Sequence, residues 1–317
     1  MFEPAKTARS SVELYQEYVQ DKSRRPIKAG MVKFATKTRK DIYNITAPFV
    51  HESRKYMAGR VENRHDELSK VWLFVESNGK WMKSSVAPEF LRFQDPFLTR
   101  VGDEIIFGGV QIDTNPMNEN QIICWRTLFF RGKSFSDMKL FARGPNGMKD
   151  IRVVGLRDGK IAVFTRPQGE IGGRGKIGYI TLNSLDELNE DNINRATVYH
   201  SHFIEQEWGG VNEVHVLKNG LLGVLGHIAR FDEAGNRHYY AMVFAFDPES
   251  MTHSYLKIIA CRDDFLPSPA KRNDLYNVVF SGGLVRQEDG TAVLYAGVSD
   301  ATAQWLVIPD PFSEYEA

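Results

Sequence analysis

Residues 95–110, DPFLTRVGDEIIFGGV, hold the pattern from which the fold can be read: a polar residue, a short apolar strand, a charged turn and a second apolar strand. Val, Ile and Phe favour strands, while Gly and Asp favour the turns between them. The same order recurs from Asn44 (NITAPFVHESRKYMAGRVE), Asp150 (DIRVVGLRDGKIAVFTRP), Asn212 (NEVHVLKNGLLGVLGHIA) and Asn277 (NVVFSGGLVRQEDGTAVLYAGVSD), which makes five copies. Successive starts lie roughly fifty to sixty-five residues apart, about the length of a four-stranded propeller blade with generous loops. A two-sheet sandwich shares this turn spacing but would not require five matching units. The spacing therefore predicts an all-β five-bladed β-propeller, with polar residues of the innermost strands converging on one axial pocket.

Working outward, helical periodicity is scarce. SVELYQEYVQDKS at 11–23 sets Val12, Leu14, Tyr15, Tyr18 and Val19 near helical spacing, predicting a short amphipathic helix. SLDELNE at 184–190 is the other candidate, with Ser184 and Glu187 at capping-box spacing. The expected organisation is an N-terminal helical extension over 1–29 and one propeller over 30–317.

The 317 residues carry 40 basic and 40 acidic side chains, a balance that argues against a dedicated polyanion binder because nucleic-acid affinity needs concentrated Lys and Arg. A hydrophobic content of 42% supplies a packed core and excludes a disordered chain. No run of apolar residues is long enough to span a membrane. Charge in MFEPAKTARS, where a secretory signal needs an apolar stretch, predicts a cytoplasmic protein, and Cys124 and Cys261 stand apart without metal-type spacing. No metal is expected.

Several polar residues could carry chemistry. Asp95 precedes Pro96, which would damage a central ladder and so places the carboxylate at a strand mouth, although Asp before Pro is also a routine turn former. Asp150 and Asp300 hold comparable positions. Lys149, Arg166, Arg174, Lys176 and His227, with Tyr239 and Tyr240 shortly after, would favour a phosphate or sugar phosphate if they converge, and are ordinary solvated charges if they do not. GGRGKIGY at 172–179 satisfies a dinucleotide-binding fingerprint formally, but YITL after it reads as strand where that motif needs a helix. A loop whose amides and Arg174 approach an anion is the preferred reading. Trp208 in EWGGVNE suits either a sugar-stacking platform or the core.

Together, DIYNITAPF, AGRVENR, QDPFLTRVGDEIIFGGV, GMKDIRVV, VFTRPQG, EWGGVNE, GVLGHIA, NVVFSGGL and YAGVSDA resemble the group called domain of unknown function 1861, or the mannosyltransferase/phosphorylase-1 family. The resemblance runs from about residue 30 to the C-terminus. That group is similar to glycoside hydrolase family 130, five-bladed mannoside phosphorylases, and to the β-1,2-mannan enzymes of glycosyltransferase family 108. The resemblance implies that Asp95 is the catalytic acid of an inverting reaction, its proton reaching the glycosidic oxygen through a mannose hydroxyl while phosphate attacks the anomeric carbon. It implies phosphate ligands at Arg166, His227 and Tyr239 or Tyr240, and a family Lys-Asp pair at Lys149 and Asp150. Asn44, Arg60, Glu62, Trp208, Asn212 and Asp300 would hold the sugar. The sequence departs from the phosphorylase pattern at Gly147-Met148, where many of those enzymes have Arg-Asn, and before Asn212, where a phosphate-binding Lys often stands. Arg174 and Lys176 would compensate.

The leading expectation is a β-1,2-mannoside phosphorylase or mannosyltransferase working through mannose 1-phosphate, with inorganic phosphate as co-substrate and no organic cofactor. Its partners would be sugar and phosphate, with neither nucleic acid nor membrane, and a homo-oligomer is left open. One rival is a β-mannosidase using Glu205, Glu207 or Glu213 as base. The other is a catalytically silent, glycan-binding propeller.

Overall fold

Alternating apolar and polar residues produce strands through almost the whole chain, and the computed structural model describes residues 2–87 and 89–316. The first sheet runs Asp41–Tyr43, Arg54–Glu62, Lys70–Ser77 and Lys80–Lys83, with Phe49–His51 and Phe90–Leu91 as short added edges. The second holds Phe93–Val101, Glu104–Asn115, Asn118–Gly132 and Lys139–Arg143. The third holds Arg152–Gly155, Ile161–Thr165, Ile177–Leu182 and Thr197–Tyr199. The fourth has nine strands and includes two antiparallel runs, Trp208–Val216 to Arg237–Asp247 and Asn277–Arg286 to Thr302–Pro309.

Hydrogen bonding among the described residues thus gives four sheets where five units were expected. The reason is a short parallel contact, His238 with Asn277 and Tyr239 with Val278, which fuses two runs that are otherwise separate antiparallel meanders. Each sheet is an open row of strands. The leading strands touch in succession: Phe93–Val101 meets Arg152–Gly155, which meets Trp208–Val216, which meets Asn277–Arg286. Several expected starts are offset from the strand ends: Asp95 and Asn212 lie inside Phe93–Val101 and Trp208–Val216, and Asp150 stands two residues before Arg152–Gly155. Asn44 ends its strand instead of opening one, because its φ of 41° breaks the extended chain.

Apolar side chains gather in seams between these units. One joins Tyr56 and Leu73 to Phe107 and Leu128, the next Phe129 to Val163, the next Phe164 and Tyr179 to Phe244, and another Val243 to Leu294. A further seam brings Ala303 of the last unit against Ile42 and Phe74 of the first. Each fully buried large side chain contributes about 1.5–3 kcal/mol.

The expected N-terminal helix forms over Ser11–Gln20, shorter than the periodicity suggested, and buries Leu14 and Tyr18. Its start is a reciprocal box of Ser10 and Glu13, which the sequence reading did not single out. The box expected at Ser184 does not form: Leu185–Glu187 is a single 3-10 turn, and Glu187 accepts from the Asn183 amide at 2.9 Å. The strand Lys28–Met31 pairs antiparallel with Thr302–Pro309, so it straddles the expected boundary at 29/30 and adds a strand to the last unit. Among the described residues, no helix is long and apolar enough to cross a membrane.

Candidate active site

A left-handed residue cannot continue a ladder, and three repeat starts are left-handed: Asn44 at φ 41°, Asp95 at φ 48° and Asp150 at φ 58°. Asn and Asp tolerate this region best among residues with a side chain, yet each costs on the order of 1–3 kcal/mol unless its surroundings hold it. In Phe93–Val101 the pairing slips between Gln94 and Phe97, so Asp95 and Pro96 bulge out of the sheet. A matching slip in Trp208–Val216 falls at Asn212. All three left-handed residues line one hollow of about 200 Å³.

Two clusters meet there. In the first, Asp95 is buried and its Oδ1 accepts from Asn44 Nδ2 at 2.7 Å, with Arg60 Nη1 at 3.6 Å. Its Oδ2 accepts no hydrogen bond from the described residues. Arg60 is oriented from below by Glu62, whose Oε2 accepts from Nε at 3.1 Å and Nη2 at 2.9 Å. Glu62 in turn accepts from Tyr43 and Lys271, so it is a support beneath the hollow and does not line it. Asp300, left-handed at φ 49°, lines the same hollow. Burial pushes its pKa up to about 6; Arg60 opposes that rise and Asp95 adds to it.

In the second cluster, Asp150 is almost wholly buried and neither carboxylate oxygen has a hydrogen-bond partner among the described residues. Burial disfavours its charge, but Arg166 and Lys149 outweigh that and hold its pKa below the usual carboxylate range. Arg166 Nη1 stands 3.5 Å from Asp150 Oδ2 and also lacks a hydrogen bond, while its Nε donates to the Gly209 carbonyl at 2.6 Å. The chain must pass very close here. A Cβ on Gly210 would meet Arg166 Cδ at 2.8 Å and Asp150 Oδ2 at 3.2 Å. Lys149 lines the hollow with no hydrogen bond or ion pair among the described residues.

His227 was expected among the cations. Burial pushes its pKa down to about 3, so at neutral pH it is an uncharged imidazole. With Asn212 Oδ1 2.9 Å from Nδ1, that nitrogen donates and Nε2 becomes an acceptor. Asn212 itself is a support, also receiving Ser281 Oγ at 3.2 Å. Tyr239 stacks on His227 with ring centroids 5.4 Å apart, and its hydroxyl accepts from Trp208 Nε1 at 3.1 Å, which leaves its own proton to donate.

A second hollow of about 350 Å³ adjoins the first and shares Gln94, Lys149, Arg166 and Tyr239 with it. Arg174 reaches it from the glycine loop, its guanidinium lying over the rings of Trp208 at 5.6 Å and Phe231 at 5.1 Å. Trp208 is buried yet borders this hollow, so it carries Arg174 and Tyr239.

Two expected phosphate ligands stand elsewhere. Lys176 Nζ donates to the carbonyls of Phe203 at 2.6 Å and Ile204 at 3.3 Å, and burial lowers its pKa. It fastens a loop and lines neither hollow. Tyr240, one residue along its strand from Tyr239, faces the opposite side and stacks on Tyr15 at 5.2 Å. The three candidate hydrolytic bases are also away from the hollow. Glu207 accepts from the Ser11 amide at 2.8 Å and so caps the N-terminal helix, Glu213 accepts from the Leu284 amide at 2.6 Å, and Glu205 is exposed.

A family profile described as "Protein of unknown function (DUF1861)" matches residues 19–314. The chain belongs to this family. The DUF1861 chain is also similar, over nearly its whole length, to two solved structures from Leishmania mexicana. One is a mannose phosphorylase in complex with phosphate ion, 31% identical with a TM-score of 0.88, covering 96% of this chain and 95% of that one. The other is a GDP-Man-dependent mannosyltransferase, 30% identical with a TM-score of 0.87, covering 98% of each chain. A β-1,2-mannobiose phosphorylase from Listeria innocua, 12% identical at a TM-score of 0.61 over 92% of this chain and 94% of that one, shares the fold alone. The chain is 28% identical over 153 residues to 4-O-β-D-mannosyl-D-glucose phosphorylase of Bacteroides fragilis, a match covering 45% of this chain and spanning only 37% of that curated relative's length.

Sequence reading missed Lys271, Arg272 and Gln94. Lys271 ties Glu62 to the loop carbonyl of Asp66 at 2.9 Å, while Arg272 and Gln94 line the hollow. Lys271 and Arg272 sit in an aperiodic loop, SPAKRND, with no signal except adjacent positive charge.

Proposed function

We propose that this chain is an inverting β-1,2-mannoside phosphorylase or mannosyltransferase that passes mannose between a β-mannoside and inorganic phosphate through mannose 1-phosphate. The observation that carries the reading is that a carboxylate cluster (Asp95, Asp300) and a cluster of cations and a hydroxyl (Lys149, Arg166, Tyr239, with Arg174 beside them) border two adjoining hollows. Phosphorolysis needs both: the glycosidic C–O bond breaks, a phosphate oxygen bonds to the anomeric carbon, and one proton must reach the departing oxygen. Asp95 is the proton source, through a hydroxyl of the bound mannose. Asn44 and Arg60 hold that carboxyl, and Asp300 and Asp150 accept hydroxyls of the same sugar.

Phosphate is drawn by Lys149, unpaired among the described residues, and by Arg166 Nη1, with a donor in Tyr239 and an acceptor in neutral His227 for a protonated phosphate oxygen. The likeness to a phosphate-bound mannose phosphorylase supports this reading. The positions of Glu205, Glu207 and Glu213 take support away from the hydrolase reading. The frame for these clusters is a ring of five blades, a reading supported by the apolar seams that run from each unit to the next and from the last back to the first.

The test is to incubate the protein with β-1,2-mannobiose, with and without phosphate, and in parallel with β-1,2-mannobiose and GDP-mannose. Mannose 1-phosphate formed only when phosphate is present is the expected result. Free mannose formed equally in both would replace the reading with hydrolysis, and neither product, with GDP-mannose consumed instead, would replace it with nucleotide-sugar transfer.

A further inference from the structure

Beyond the two hollows of the proposed site lies a third, of about 400 Å³, to which no role has been given. Trp125 and Gln168 line both it and the second hollow, so the three adjoin in a row from Asp95 outward. The chemistry changes along the way. Asp, Arg and Lys surround the first hollow, cations and aromatic rings the second, and the third has no Asp, Glu, Lys, Arg or His among its described lining residues. Apolar surface from Met148, Ile171, Ile193 and Val198 alternates there with the amides of Asn146 and Asn194.

Three buried polar atoms on its wall lack a hydrogen-bond partner among the described residues: Trp125 Nε1, a donor; Gln168 Oε1, an acceptor; and Thr165 Oγ1, which can do both. Buried polar groups are normally paired, because leaving one unpaired costs about 1–3 kcal/mol. A wall with unpaired donor and acceptor atoms, apolar patches and no charge suits a neutral polyhydroxylated ring, which offers hydroxyls at its rim and C–H groups on its faces. It does not suit a phosphate or diphosphate. The volume lies within the range of small-ligand sites.

We infer that the cavity bounded by Trp125, Gln168 and Asn194 is a distal subsite for a neutral sugar unit of the glycan, remote from the bond that reacts. This rests on the mannoside reading above and adds a preference for chain length to it. Binding energy gathered so far from the reacting centre favours longer chains.

The experiment compares parent and Asn194→Trp, a substitution at an exposed residue on the rim of this cavity alone, which fills it without touching the Asp95 hollow. Titration calorimetry with β-1,2-mannobiose and β-1,2-mannotetraose is run beside phosphorolysis of each. The parent should bind the tetrasaccharide at least about tenfold more tightly than the disaccharide, and the variant should lose that preference while its disaccharide constants stay unchanged. Trp125→Phe, which removes the indole donor and part of the ring but keeps an aromatic face, should lose part of the same preference. Equal affinity of the parent for both sugars would overturn the subsite, as would equal weakening of both in Asn194→Trp. Tetrasaccharide preference without phosphorolysis of either sugar would sink the reaction and leave the subsite standing. Binding of GDP that Asn194→Trp abolishes would assign the cavity to a nucleoside and overturn the inference.

Discussion

The apolar seams between the units and the polar hollow at Asp95 obey opposite rules. In the seam around Phe164 rings pack against rings, with Tyr179 at 5.1 Å and Phe246 at 5.4 Å between centroids. In the hollow, Asn44, Asp95, Asp150 and Asp300 are left-handed, and Asn44 Oδ1, Arg166 Nη1 and both oxygens of Asp150 lack hydrogen-bond partners among the described residues. The seams supply stability, and the hollow spends part of it to keep charged and polar atoms ready for a ligand. Substitutions should therefore separate into two classes.

The sharpest separation comes from Asp95→Asn. It should lower kcat by about 10²–10⁴-fold, the usual range for a lost general acid, while thermal unfolding moves little. Loss of folding in parallel with activity would erase the distinction between the regions. Phe164→Ala should behave in the opposite way, destabilising by about 3–5 kcal/mol in denaturant unfolding while the folded fraction keeps its KM for phosphate.

Asp300 sharpens the comparison through pH. Because its folded pKa is raised to about 6, the carboxyl is protonated below that value and ionised above it. Its stabilising contribution is complete below the ordinary carboxylate range and is lost as pH rises through about 6. Asp300→Asn should then raise stability at pH 7 by on the order of 1 kcal/mol and leave it unchanged at pH 4, read from urea midpoints at each pH. The same variant should lose the fall in sugar affinity that the parent shows below about pH 6.

The smallest effect separates two neighbours in the glycine loop. Arg174→Ala should raise the KM for phosphate several-fold, whereas Lys176→Ala should leave it unchanged, because its ammonium is already held by Phe203 and Ile204 carbonyls. A raised KM in Lys176→Ala would return that lysine to the anion site.

Much of this was legible in one dimension. Period-two alternation and turn residues at even spacing show where strands run, and the helix around Leu14 and Tyr18 is visible in its spacing, because both signals are local. The polar starts Asn44, Asp95 and Asp150 were legible for the same reason: Asn and Asp are the side chains that suit a left-handed residue at a strand mouth. The family, too, is legible in the motifs.

Which side each residue faces was not. Tyr239 and Tyr240 are equal in sequence, and only the register of Arg237–Asp247 sends one to His227 and the other to Tyr15. Lys176, Glu207 and Glu213 looked available until a loop, a helix end and a strand distant in sequence claimed them. His227 looked like a cation until packing removed the water that would stabilise its charge. Local chain preference is written residue by residue and can be read from the sequence, whereas pairing, burial and charge depend on which distant segments arrive beside a group, and that is settled only when the sheets pack together.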